Sequence, residues 1–108
     1  MTLSATGIAM GNLANTYSDL GRHQEALVMR EKTLEFQQRV LPENHPQIGI
    51  ACLNIGINYF EVGDLHRALQ FAREALRVLQ ATLPLSHPHV KQAQQLVRNC
   101  EGDAARRL

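Results

Sequence analysis

The chain has 108 residues, of which 44% are hydrophobic and 19% charged, and its formal net charge is +1. That balance suits one small folded domain and argues against an intrinsically disordered segment. The basic residues form no cluster suited to a phosphate backbone, no apolar run reaches membrane-spanning length and the opening residues lack a secretory pattern, so neither nucleic acid nor membrane is expected as a partner.

Taken in chain order, the first predicted helix runs from about Ser4 to Leu20. Met10, Leu13, Ala14 and Tyr17 repeat on one face at helical spacing, and Gly21 supplies a left-handed stop. The second runs from about Gln24 to Val40, with Ala26, Leu27, Leu34 and Leu41 facing inward. Pro42-Glu-Asn-His-Pro46 ends it, and Pro46 suits the first turn of the next helix, where a missing N–H costs nothing. The third helix is expected over Pro46 to Val62, stopped by Gly63. Asp64 then serves as N-cap of a fourth, Leu65 to about Thr82, with a clean apolar stripe of Leu65, Ala68, Leu69, Ala72, Ala75, Leu76, Leu79 and Leu83. A last helix begins at Pro88 and uses Val90, Ala93, Val97 and Cys100.

The chain repeats itself at an offset of 42 residues. Gly21 meets Gly63, Ala9 meets Ala51, Asn12 meets Asn54 and Tyr17 meets Tyr59. Ala26-Leu27 meets Ala68-Leu69, Leu41-Pro42 meets Leu83-Pro84, and His45-Pro46 meets His87-Pro88. Each copy is therefore a pair of helices, A then B, and a single pair cannot bury its own apolar face. The reading is one all-α domain of about five antiparallel helices. Repeat 1 spans about 4–45 and repeat 2 about 46–87, with a C-terminal capping helix over about 88–104. The capping helix departs from the repeat where the tyrosine would stand, at Glu101. Small residues, Ala14 or Gly56 on helix A and Ala26 or Ala68 on helix B, are expected to let the paired helices approach closely.

These residues resemble the tetratricopeptide repeat family, through Asn12-Leu-Ala-Asn-Thr-Tyr17, Gly21 and Glu25-Ala-Leu27. The long offset and the repeated Leu-Pro-x-x-His-Pro linker, Leu41-Pro-Glu-Asn-His-Pro46 in the first copy, resemble repeats of the kinesin light chain type. The resemblance covers nearly the whole chain. It implies a short right-handed superhelix whose A helices line a concave, polypeptide-binding groove. The coiled coil of a kinesin light chain is not seen in this sequence, so the motor-adaptor role is not implied.

On helix A, positions not spent on packing against helix B would face that groove. They are Ile8, Gly11, Asn12, Asn15 and Asp19 in copy one, and Ile50, Leu53, Asn54, Ile57, Phe60 and Glu61 in copy two. Gln92, Gln95, Leu96 and Asn99 follow in the last helix. An asparagine amide can donate to and accept from a peptide backbone at once, which suits Asn12 and Asn54; a bond to a neighbouring helix is the alternative. Ile50, Leu53, Ile57 and Phe60 would make a second apolar stripe on a helix already burying Ala51, Cys52, Ile55 and Tyr59. Such a stripe would receive either a partner segment or a second copy of the chain, unless flanking helices cover it. The groove lacks the lysines and arginines that would clamp a C-terminal carboxylate.

No glycine-rich phosphate loop, nucleophile elbow or zinc-protease motif is present, so neither enzyme activity nor a cofactor is expected. His87-Pro-His89 has a short spacing, but His-Pro recurs at the same linker in both copies, which reads as a device for starting a helix rather than a metal site. Glu31, Glu35 and Glu74 read as solvated faces. Cys52 and Cys100 lie on or near apolar faces without metal-ligand spacing and are expected as buried reduced thiols, in keeping with a cytoplasmic protein, with a disulfide as the alternative.

Overall fold

The computed structural model describes residues 22–107, with their side chains as far as Asp103. The predicted first helix, and with it Asn12 and Asn15, lies outside the described residues. Four helices follow one another: α1 (His23–Val40), α2 (Pro46–Glu61), α3 (Leu65–Thr82) and α4 (Pro88–Arg107). Their ends match the sequence reading closely. α1 starts one residue earlier than expected, α2 ends one residue sooner, and α4 continues to Arg107.

The linkers explain why the helices start where they do. At the first, His45 turns its ring back so that Nδ1 accepts the backbone N–H of Gln47 at 3.1 Å, with Pro46 occupying the position that needs no donor. The second linker repeats the device, His87 Nδ1 accepting the N–H of His89 at 3.1 Å. The histidine in Leu-Pro-x-x-His-Pro is thus an N-cap. Asn44 just before it takes a positive φ of 64°, which asparagine tolerates, and its side-chain oxygen accepts a bond from Arg77 at 3.2 Å. Between α2 and α3, Gly63 adopts φ 87° and Asp64 accepts from the N–H of Arg67 at 3.1 Å. Replacing His45 or His87 with alanine is expected to cost about 0.5–2 kcal/mol each, while asparagine should retain most of the cap. Urea unfolding of the four variants checks this.

Packing follows the repeat. α2 and α3 form the closest pair, α3 then packs on α4 and α1 on α2, and α2 also touches α4. The core runs through all four helices, from Leu27 and Leu34 through Ile48, Cys52, Leu53 and Ile55 to Leu79, Val90 and Cys100. Two glycines set how near α2 approaches its neighbours. A Cβ on Gly56 would lie 3.0 Å from Leu96 Cδ2, 3.3 Å from the Ala68 carbonyl oxygen and 3.4 Å from the Ala72 nitrogen, so the expected close approach of Gly56 to Ala68 is present. Gly49 is tighter still: a Cβ there would lie 2.6 Å from Leu79 Cγ and 2.8 Å from its Cδ2.

Helix B of each copy is also tied to the following helix A by a side-chain bond, with the chemistry exchanged between the two junctions. At the first, the Tyr59 hydroxyl donates to Glu31 at 2.8 Å. At the second, the equivalent positions hold Arg73 and Glu101, paired at 3.1 Å. Glu101 therefore does not leave a gap in the repeat; the change from tyrosine is matched by a change from Glu31 to Arg73 on the preceding helix. Glu31 is accordingly not one more solvated acid, because it is the acceptor of a bond between repeats. Glu74 holds to the expected pattern, with Arg77 one turn on at 2.6 Å.

Candidate functional site: the open face of the A helices

Helix α2 is packed on most of its circumference, with α1, α3 and α4 against it. What stays open is a narrow strip at helical spacing: Ile50, Asn54, Ile57 and Glu61. Ile57 is 39% exposed, Ile50 and Asn54 are half-buried and Glu61 is exposed. On α4 the positions 42 residues further on are Gln92, Leu96, Asn99 and Asp103. Gln92 and Asn99 are exposed, and Asp103 is half-buried. By repeat position Ile50 thus corresponds to Gln92, Ile57 to Asn99 and Glu61 to Asp103.

Two expected groove residues belong elsewhere. Leu53 is only 2% exposed and Leu96 6%, and both are part of the core. For Leu96 the reason is that neighbouring A helices touch: it reaches to the backbone of Gly56 on α2. Phe60 is intermediate, half-buried and packed against the core cluster. The continuous apolar stripe of Ile50, Leu53, Ile57 and Phe60 is therefore reduced to Ile57 with the partly open Ile50. Gln95, the equivalent of Leu53, is exposed and donates to Asn99 at 2.8 Å, while Arg98 donates to Gln95 at 3.0 Å. The amides of α4 are ordered by one another.

A second recess was not read from the sequence. Leu27, Val28 and Glu31 of α1 face Tyr59, Val62 and Arg67 across a cleft of about 360 Å³. Tyr59, which lines it, stacks on Phe71 at 5.7 Å, and the Arg67 guanidinium lies 5.7 Å from the Tyr59 ring centre. Burial, helped by the bond to Glu31, holds the Tyr59 hydroxyl above the ordinary phenol range, so it stays a donor at neutral pH. The available sequence signal is the pairing of Glu31 with Tyr59 and of Arg73 with Glu101 at the same offset.

The histidines and cysteines are accounted for by structure. His87 and His89 stack at 5.2 Å, with His87 Nδ1 already committed to its cap. Among the described residues, no group of three or more His, Cys, Asp or Glu is placed to hold a metal ion. Cys52 and Cys100 are free and buried. Burial pushes the Cys52 thiol up to about 11 and raises Cys100 as well, so both are protonated and unreactive at neutral pH. Iodoacetamide at neutral pH is accordingly expected to label neither thiol in the native chain and both once urea unfolds it, as intact mass will show. No helix of the described residues is long and apolar enough to cross a membrane.

Comparison with known proteins agrees with this architecture. The fold matches a crystal structure of a kinesin light chain-type protein from Podospora anserina with nearly identical tetratricopeptide-like repeats, at a TM-score of 0.79 and 20% identity. The match covers 91% of this chain and 46% of that one, so the present chain corresponds to about half of the neighbour. A search of curated proteins finds no match. The family model for the tetratricopeptide repeat matches residues 5–81. Paired helices at a 42-residue offset, the glycine-mediated approach of A and B helices and this match over most of the sequence place the chain in the tetratricopeptide repeat family.

Proposed function

We propose that the chain is a protein-interaction scaffold that holds a segment of a partner polypeptide along the open face of its A helices. Tetratricopeptide repeats generally mediate protein–protein interaction. The observation that carries the reading for this chain is Ile57, a large aliphatic side chain left 39% exposed in the middle of an otherwise packed helix. It lies one turn from the half-buried amide of Asn54, and an exposed amide, Asn99, holds the equivalent position on α4. Apolar contact flanked by side-chain amides can take up both the side chains and the backbone of a bound segment. Asn12 and Asn15 extend this face if the first copy follows the second. The two buried thiols fit a reducing, cytoplasmic setting.

Binding of a partner is expected to weaken by about tenfold when Asn12 and Asn54 are both changed to alanine, each lost backbone bond being worth about 0.5–1.5 kcal/mol. Unchanged affinity in a calorimetric titration would count against the groove. Sedimentation of the free chain at micromolar concentration is expected to give a monomer; a dimer abolished by Ile57→Glu would instead make a second copy the occupant of the face. Ile57 is the better probe for this than Phe60, whose packing against the core would confuse loss of binding with loss of fold.

A further inference from the structure

We infer that the two His-Pro linkers make the A helices acid-sensitive: protonating His45 and His87 removes the N-caps of α2 and α4, while α3 keeps its own. In each linker a ring Nδ1 accepts the backbone N–H two residues on, from Gln47 and from His89, at 3.1 Å in both cases. A ring nitrogen accepts only while it carries no proton, so the capping ring is the neutral form with its proton on Nε2. Histidine is the side chain that ordinarily changes charge near neutrality, at about pH 6.5. The imidazolium has two N–H donors and no acceptor, and it sets a positive charge at the positive end of a helix dipole. Asp64, by contrast, caps α3 with a carboxylate that accepts from the N–H of Arg67 at 3.1 Å, and a carboxylate ordinarily stays ionised well below the imidazole range.

The surroundings do little to favour the imidazolium. Neither α2 nor α4 has an acidic residue in its first turn. At the first linker the charged groups are Glu43, Arg39 in the last turn of α1, and Arg77 of α3, which bonds Asn44 and pairs with Glu74. Glu43 is exposed, and its charge already acts on Arg77. From α1, Gln37 bonds Gln47 at 3.4 Å and brings no charge. At the second linker His87 stacks on His89 at 5.2 Å, so a charge on one ring opposes a charge on the other. Lys91 follows one turn on, and neither the last turn of α3 nor the first turn of α2 carries a charge.

The folded, capped state therefore holds neutral rings, whereas the unfolded chain protonates freely. As pH falls through the imidazole range the unfolded state binds more protons, and stability falls with it. The helices that lose their caps are the two that carry Ile50, Ile57, Gln92 and Asn99. Acid would thus loosen the open face; that consequence for a partner rests on the reading of the face as the binding surface, whereas the acid sensitivity does not.

The test is urea unfolding of the full chain, followed by circular dichroism, at about pH 7.5 and about pH 5.5, beside the His45→Asn, His87→Asn double variant, whose amides cap without titrating. The unfolding constant of the unaltered chain is expected to rise by about tenfold on acidification, as two caps are lost in part. That of the double variant should rise by less than about threefold, from His23, His66 and His89. Equal rises in the two proteins, or no rise in the unaltered chain, overturn the inference. Nitrogen magnetic resonance of the unaltered chain gives a readout free of any substitution. At neutral pH the rings of His45 and His87 are expected to carry their proton on Nε2, and a proton on Nδ1 of either ring overturns the inference as well.

Discussion

Gly49→Ala is expected to destabilise the chain by about 1–3 kcal/mol, against the usual direction of that substitution. In a solvated helix interior, alanine in place of glycine stabilises by about 0.5–1 kcal/mol, because glycine has more backbone freedom to lose on folding. Gly49 lies within α2, but the methyl would stand 2.6 Å from Leu79 Cγ and 3.3 Å from Val78 Cγ1. Leu79 Cγ is a branch point and Leu79 is fully buried, so no flexible end is available to swing aside. Either Leu79 leaves its rotamer or α2 and α3 move apart, and both disturb the closest helix pair in the fold. Gly102 provides the control. It also lies in a helix, but a Cβ there would meet nothing within 4 Å, so Gly102→Ala should stabilise by about 0.5–1 kcal/mol. The mechanism makes a further demand. Leu79→Ala alone should cost about 2–5 kcal/mol through the cavity it leaves, but the Gly49→Ala, Leu79→Ala double variant should lose less than the two single losses added together, by about 1 kcal/mol or more. Additive losses in urea melts would show that the two side chains do not compete for the same space.

Much of this fold is legible in the sequence because the repeat states it twice. His-Pro at one linker is ambiguous, whereas His-Pro at both linkers points to a shared local task, and the Nδ1 caps of His45 and His87 are that task. Helix ends were legible for the same reason, since glycine, proline and the cap are local devices that act within a turn. The close approach at Gly49 was less legible. A glycine in a helix states that something comes near but not from which side, and Leu79 is thirty residues on. The tie between Arg73 and Glu101 is not legible in either helix alone. Glu101 departs from the repeat tyrosine, and only the equivalent departure of Arg73 from Glu31 shows that the position kept its role. The site was least legible. Helical periodicity gives the angle at which Leu53 leaves α2, but not whether neighbouring helices cover it, and at 2% exposure it belongs to the core.

The burial of Leu53 carries an expected effect as large as that at Leu79. Leu53→Ala should cost about 2–5 kcal/mol of stability, the range for emptying a buried leucine site. Ile57→Ala, one turn further along the same helix, should cost less than about 1 kcal/mol, because Ile57 already spends part of its surface in water. If Leu53 instead lined the groove, the order would differ: Leu53→Ala would be mild in the melt and would show its effect in binding. The two measurements separate the roles cleanly. A residue of the core moves the unfolding midpoint and affects affinity only as far as the native fraction falls, whereas a residue of the face moves affinity at nearly constant midpoint. Leu53 is expected to behave in the first way and Ile57 in the second. The boundary between them marks where stacking of A helices ends and the recognition surface begins. In an array this short the margin is narrow, since buried Leu53 and partly exposed Ile57 lie one turn apart on the same helix. A destabilised Leu53 variant should therefore recover binding when conditions restore folding, such as low temperature or a stabilising osmolyte, and Ile57→Ala should not.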